Sequence, residues 1–219
     1  MAVCGGNCMG FANLERRVRA LGFYEPKDAP VGGVTFLSHS GSAFSAMIHN
    51  TRNLGLNLAV SAGQEFVTTV ADYLRYALGL ESTKAVGLFI ETVRDPTGFR
   101  EALAIANERD VPLVALKVGR EERTRELVQA HSGALAGEDG AYEALFDAYG
   151  VSRVESLDEM ADTLALFAAG RGSRAAGRRS CGRTPCSPGA SASRSRGAGA
   201  GSPAASSGWP RRPPPTARD

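Results

Sequence analysis

Between residues 31 and 169, short apolar runs alternate with longer stretches of helical periodicity, and this alternation limits the possible folds more than any other feature of the chain. Runs at Gly33–Ser38, Leu56–Ser61, Ala85–Ile90 and Pro112–Lys117, with a shorter one at Val151–Val154, read as five strands. Ser42–Leu54, Val67–Leu80, Phe99–Arg109, Gly140–Tyr149 and Ser156–Ala168 read as helices, the last opened by a capping box of Ser156 and Glu159. Strands joined through helices lie parallel, because a parallel neighbour is reached only by a crossover. Strands that are apolar throughout are covered on both faces. The expected fold is therefore α/β: a doubly wound, five-stranded, flavodoxin-like parallel sheet. In such a sheet, chemistry belongs to the loops at the carboxyl ends of the strands.

The composition changes abruptly after Gly170. Residues 171–219 hold ten arginines against one acid, Asp219, and so carry +9, which leaves −7 on the first 170 residues of a chain whose total is +2. Trp209 is the only large apolar side chain in that stretch. With nothing to bury against an ordering cost of roughly 1–2 kcal/mol per residue, residues 170–219 are expected to be a disordered Arg/Gly/Ala/Ser/Pro-rich tail. Three readings of it stay open: a solvated tail, a basic arm for nucleic acid, or GC-rich DNA read out of frame. The second lacks lysine and interleaved aromatics, so nucleic acid is not expected as a partner.

No stretch approaches ~18 consecutive apolar residues, and the first 30 residues lack a basic start followed by an apolar run. The chain therefore reads as cytoplasmic, away from membranes. The cysteines fall in two distant pairs, Cys4/Cys8 and Cys181/Cys186, without a histidine at ligand spacing, so neither a metal site nor a disulfide framework is expected.

Three loops could carry chemistry. After the first strand, Ser38-His39-Ser40-Gly41-Ser42 runs into a helix. Unpaired N–H groups and the positive end of the helix dipole make such a start an anion cradle, to which Ser38, Ser40 and Ser42 add hydroxyls and Gly41 adds close approach. Serines there could equally be satisfying the helix end. Glu91 follows the third strand as an acid at the mouth of the sheet, either the first polar loop residue or the orienting partner of an imidazole. His131 stands among small residues in HSGALAG, beyond the fourth strand. An anion cradle, an acid and an accessible histidine at one end of a sheet suggest chemistry on a phosphate or an acyl group. No nucleoside-triphosphate P-loop pattern is present.

Gly6-Asn7-Cys8-Met9-Gly10, Val34–Ser42 (VTFLSHSGS), Glu91 and His131–Gly137 together resemble the NDP-forming acyl-CoA synthetases, a family that includes ADP-forming acetate–CoA ligases and the succinyl-CoA synthetase α subunit. The resemblance spans about residues 4–168. It implies interconversion of a small carboxylic acid, coenzyme A and ATP with acyl-CoA, ADP and phosphate, by way of an acyl phosphate and a phosphohistidine. It makes His131 the phosphohistidine and Glu91 the acceptor of a hydrogen bond from its other ring nitrogen. Ser38, Ser40, Gly41 and Ser42 become the phosphate cradle, and Asn7 and Cys8 the segment beside the CoA thiol. Two departures stand out: Gly6 replaces the proline of Gly-Pro-Asn-Cys, and His39 replaces a common glutamine.

The resemblance also implies partners: a CoA-binding domain and an ATP-grasp domain or subunit, the latter the only place where Mg is expected. Residues 1–30 are accordingly expected to be a remnant of the CoA-binding region with its linker. Residues 31–169 would be the flavodoxin-like CoA-ligase domain, cut from a larger enzyme and incomplete alone. Two rival functions remain. One is a non-catalytic fragment that binds an anion or a partner domain. The other is a serine hydrolase using Ser40, Glu91 and His131, although Ser40 lies outside a G-x-S-x-G elbow.

Overall fold

A computed structural model describes residues 3–22, 29–119 and 139–170. Its seven strands are β1 (Gly10–Asn13), β2 (Val18–Leu21), β3 (Val31–Ser38), β4 (Leu56–Ser61), β5 (Ala85–Ile90), β6 (Leu113–Lys117) and β7 (Ser152–Arg153). Five helices are described: α1 (Gly41–Ile48), α2 (Val70–Leu78), α3 (Pro96–Glu108), α4 (Asp139–Tyr149) and α5 (Leu157–Ala168). The strands form one sheet in the order β2-β1-β4-β3-β5-β6-β7. The five from β4 to β7 are mutually parallel, and the four longer ones, β4, β3, β5 and β6, are mostly apolar, as strands covered on both faces are.

The sheet carries two strands more than the sequence pattern suggests. Residues 10–21, grouped with a linker in the sequence reading, fold into an antiparallel β1–β2 hairpin, and β1 pairs antiparallel with β4. Arg17 takes the left-handed backbone region (φ 56°) at the turn.

Alternation along the strands divides the apolar side chains between two layers. Leu37, Val60, Leu88 and Ile90 pack with Leu74, Phe99 and Phe146 of α2, α3 and α4. Phe36, Ala59, Val114 and Leu116 pack with Phe44 and Met47 of α1 and Met160 and Leu164 of α5. The sheet is thus covered on both sides, which is the doubly wound arrangement.

Helix ends follow side-chain capping. α1 stops at Ile48 rather than running to Leu54, because Asn50 turns the chain: its amide donates to Met47 O (2.9 Å) and accepts from the N–H groups of Arg52 and Leu54. α3 starts earlier than expected, with Asp95 accepting from Gly98 N (2.9 Å) and Pro96 at the first helical position. Ser156 caps α5 by accepting from Glu159 N (3.1 Å), but the Glu159 carboxylate takes the N–H of Glu155 (2.8 Å), so the expected capping box is only half formed. Among the described residues no helix is long and apolar enough to cross a membrane. Residues 171–219 lie outside the described residues.

Candidate functional site

In the parallel strands the chain leaves β3 for β4 on one side and returns for β5 on the other, so the crossovers diverge between β3 and β5. A crevice opens at such a switch point, beyond the carboxyl ends of the strands. A cleft of about 460 Å³ lies there, with Asn7, Cys8, Met9, Ser40, Gly41, Ser42, Gln64 and Glu91 in its wall. These include six of the eight residues expected from the sequence. Of the other two, His131 lies outside the described residues.

Ser38 is present but already engaged. It is buried, donates to Ser40 O (2.7 Å) and accepts from Ser40 N (3.1 Å). It shapes the turn from strand to helix and does not line the cleft. Ser40 is the N-cap of α1, with its hydroxyl accepting from Ala43 N (3.3 Å) and lying 3.0 Å from the Ser42 hydroxyl. The first turn of α1 holds no acid, so no charge on the helix itself opposes an anion at its start. Ser40→Ala should cost about 1 kcal/mol in an unfolding titration through loss of the cap, and should weaken anion binding with it.

The wall opposite is the N-terminal segment, tied to the β4–α2 loop. Met9 N donates to the Ser61 hydroxyl (3.1 Å) and Gln64 N donates to Gly6 O (2.9 Å). Gly63, at φ +61°, lets the two segments touch: a Cβ there would stand 2.3 Å from Gly6 O. Gly6, in place of the expected proline, lies under the Phe66 ring, with a Cβ at that position 2.3 Å from Cε2. Losing the proline ring makes room for an aromatic one.

At this wall Cys8 Sγ lies 4.0 Å from Cys4 Sγ and donates to Gly5 O (3.1 Å). Burial, helped by Cys8, pushes the Cys4 thiol above its ordinary range. Burial, and after it the neighbouring Cys4, pushes the Tyr73 phenol well above its own. The Tyr73 hydroxyl is buried without a hydrogen bond of ordinary geometry. Both groups favour the neutral form in the folded state, so the stability they supply is present below their unfolded values and is lost as pH rises. Tyr73→Phe should leave neutral-pH stability unchanged or slightly higher, and should flatten the decline above about pH 9–10 in thermal melts.

The sequence reading missed one feature. His39 is buried, accepts the Glu91 backbone N–H at Nδ1 (3.1 Å) and lies 2.9 Å through Nε2 from Glu65 Oε1. Glu65 follows β4 at the same carboxyl end, and that position was the only available signal.

Comparison with known proteins gives the same family as the motifs. Residues 31–167 match the model of the succinyl-CoA ligase like flavodoxin domain. The ADP-forming acetate–CoA ligase of Methanocaldococcus jannaschii is 34% identical over 167 residues, which is 75% of this chain and 23% of that protein. The α subunit of ADP-forming acetate–CoA ligase II from Pyrococcus furiosus is 30% identical over 76% of this chain and 36% of its own length. Among solved structures, acetyl-coenzyme A synthetase 1 of Ca. Korarchaeum cryptofilum in complex with phosphate and ADP superposes with a TM-score of 0.69 at 26% identity, covering 77% of this chain and 36% of that one. The chain thus spans about a quarter to a third of the length of these relatives. Through its succinyl-CoA-ligase-like flavodoxin domain, the chain belongs to the NDP-forming acyl-CoA synthetase family.

Proposed function

We propose that this domain carries the phosphoryl-transfer half of an NDP-forming acyl-CoA synthetase, converting acid, CoA and ATP to acyl-CoA, ADP and phosphate together with CoA-binding and ATP-grasp domains. The observation that carries this reading is the cleft at the β3/β5 switch point, which sets the acid-free start of α1 opposite Glu91. The exposed N–H groups of α1 and the Ser40 and Ser42 hydroxyls suit a phosphoryl group. Asn7 and Cys8 on the facing wall suit the thiol end of CoA. His131, by its motif, is the group that accepts phosphate. In the direction of acid consumption the phosphate reaches its ring nitrogen from ATP as ADP leaves. The substrate carboxylate then attacks the phosphorus, the N–P bond breaks with its electron pair returning to the ring, and the acyl phosphate forms. The reverse step loads the histidine from an acyl phosphate and releases the carboxylate. Glu91 accepts a hydrogen bond from the second ring nitrogen and offsets the positive charge on the ring.

The base of the serine-hydrolase reading, His131, lies outside the described residues. Among the described residues the imidazole next to Ser40 is His39, whose two nitrogens are engaged by Glu91 and Glu65. A non-catalytic role remains the rival.

The test is phosphorylation of the purified chain by acetyl phosphate, read by intact mass and acid lability beside His131→Ala, with circular dichroism on both. One acid-labile phosphoryl group that is lost in the variant supports the proposal. A folded chain that takes up none, even with an ATP-grasp protein supplied, favours the non-catalytic role.

A further inference from the structure

The cleft wall contains a buried pair that the phosphoryl-transfer reading does not use. His39 and Glu65 have side chains only 4% and 1% exposed. Because His39 Nδ1 accepts the Glu91 N–H, that nitrogen carries no proton, and the proton of the neutral ring sits on Nε2 and is donated to Glu65 Oε1. His39 N in turn donates to Phe89 O (3.1 Å), so residue 39 holds the end of β5 through both backbone and ring. Glu65 is costly to keep in place. It takes the left-handed backbone region at φ 53°, and its Oε2 is buried without a hydrogen-bond partner among the described residues. Together with Thr92 and Arg94 it lines a void of about 10 Å³, room for one water. Strain and an unmatched polar atom persist where a function retains them.

We propose that His39 is a positioning residue: locked as the Nε2–H tautomer by Glu65, it clamps the backbone of Glu91 and so sets where that carboxylate stands at the cleft wall. Its relevance to phosphoryl transfer rests on the function proposed above; the clamp itself rests on geometry. A glutamine side chain offers the same sequence of groups, a carbonyl acceptor toward Glu91 N–H and an amide donor toward Glu65, and cannot titrate. A leucine offers neither.

The test uses the full chain with isotope-labelled histidine, alongside His39→Gln, His39→Leu and Glu65→Ala. Ring-nitrogen NMR should find His39 Nδ1 bare and Nε2 protonated. Hydrogen exchange of the Glu91 amide should be slow in the wild type and in His39→Gln, and at least roughly 10-fold faster in His39→Leu and Glu65→Ala. Phosphoryl uptake from acetyl phosphate should fall by roughly 10-fold or more in His39→Leu and return in His39→Gln, the scale expected when a reacting group is misplaced by about an ångström. A protonated Nδ1, or equal Glu91 exchange in the wild type and a folded His39→Leu, overturns the clamp. A slow Glu91 amide in a wild type that takes no phosphate, even with an ATP-grasp protein supplied, supports the clamp and overturns the phosphoryl-transfer reading instead.

Discussion

Replacing Asn57 by alanine is expected to lower stability by roughly 3–4 kcal/mol, a large loss for a polar side chain. Asn57 sits in β4 with no exposed surface. Its amide donates to the hydroxyls of Ser82 (2.9 Å) and Thr83 (2.8 Å), and its carbonyl accepts from Thr35 (2.8 Å). Thr83 passes on to Ala77 O (2.8 Å) and Ser82 to the Glu15 carboxylate (2.6 Å). One side chain therefore joins β3, β4, the end of α2 and the turn of the hairpin. Alanine removes three hydrogen bonds, each worth about 1 kcal/mol, and leaves a void that rigid strands cannot close. Urea titration should show a lower midpoint at unchanged slope, and the melting temperature should fall by roughly 10 °C. A loss below about 1 kcal/mol would mean that water replaces the amide and that the network is not held as described.

Gly63→Val should do the reverse, sparing the core while dismantling the cleft. At φ +61° a β-branched residue is strained whatever the space around it. Its Cβ would also meet Gly6 O at 2.3 Å, Cys8 Cβ at 2.9 Å and Asn7 O at 3.0 Å. Two of these atoms are backbone, so the N-terminal segment must retreat and the Gln64–Gly6 hydrogen bond must break. The two core layers lie behind the strands and need not respond. Circular dichroism should be preserved, Cys8 should alkylate faster as its cover opens, and phosphoryl uptake should fall by about 10-fold or more. An unchanged alkylation rate would show that the loops absorb the side chain elsewhere.

What could be read from sequence follows from how local each signal is. β3, β4, β5 and β6 were legible because strands covered on both faces are written as continuous apolar runs. The hairpin was not: its turn carries no Asn-Gly or Asp-Gly and depends on Arg17 adopting a positive φ. α1 overran because Met47, Ile48 and Leu54 keep a helical spacing past the point where Asn50 takes over the backbone. In the site, Ser40–Ser42 and Glu91 were legible because they follow strands directly. The role of Ser38 inside its own turn could not be seen in a string. The His39–Glu65 pair spans two loops, and only the parallel pairing of β3 with β4 brings those residues together.

The hairpin has a further consequence for how the molecule avoids its own kind. β4 is fully buried and reads LNLAVS; without β1 beside it, its outer row of backbone donors and acceptors would be a template for any extended chain. With the hairpin in place that row is spent on β1, and among the described residues the outermost strand on that side is β2, four residues long with Arg19 exposed. The opposite margin ends in β7, only two residues long. Among the described residues both margins are short, which limits pairing with a neighbouring chain. A chain begun at Val31, where the family match starts, would bare the β4 margin and should associate and precipitate at concentrations that the longer chain tolerates.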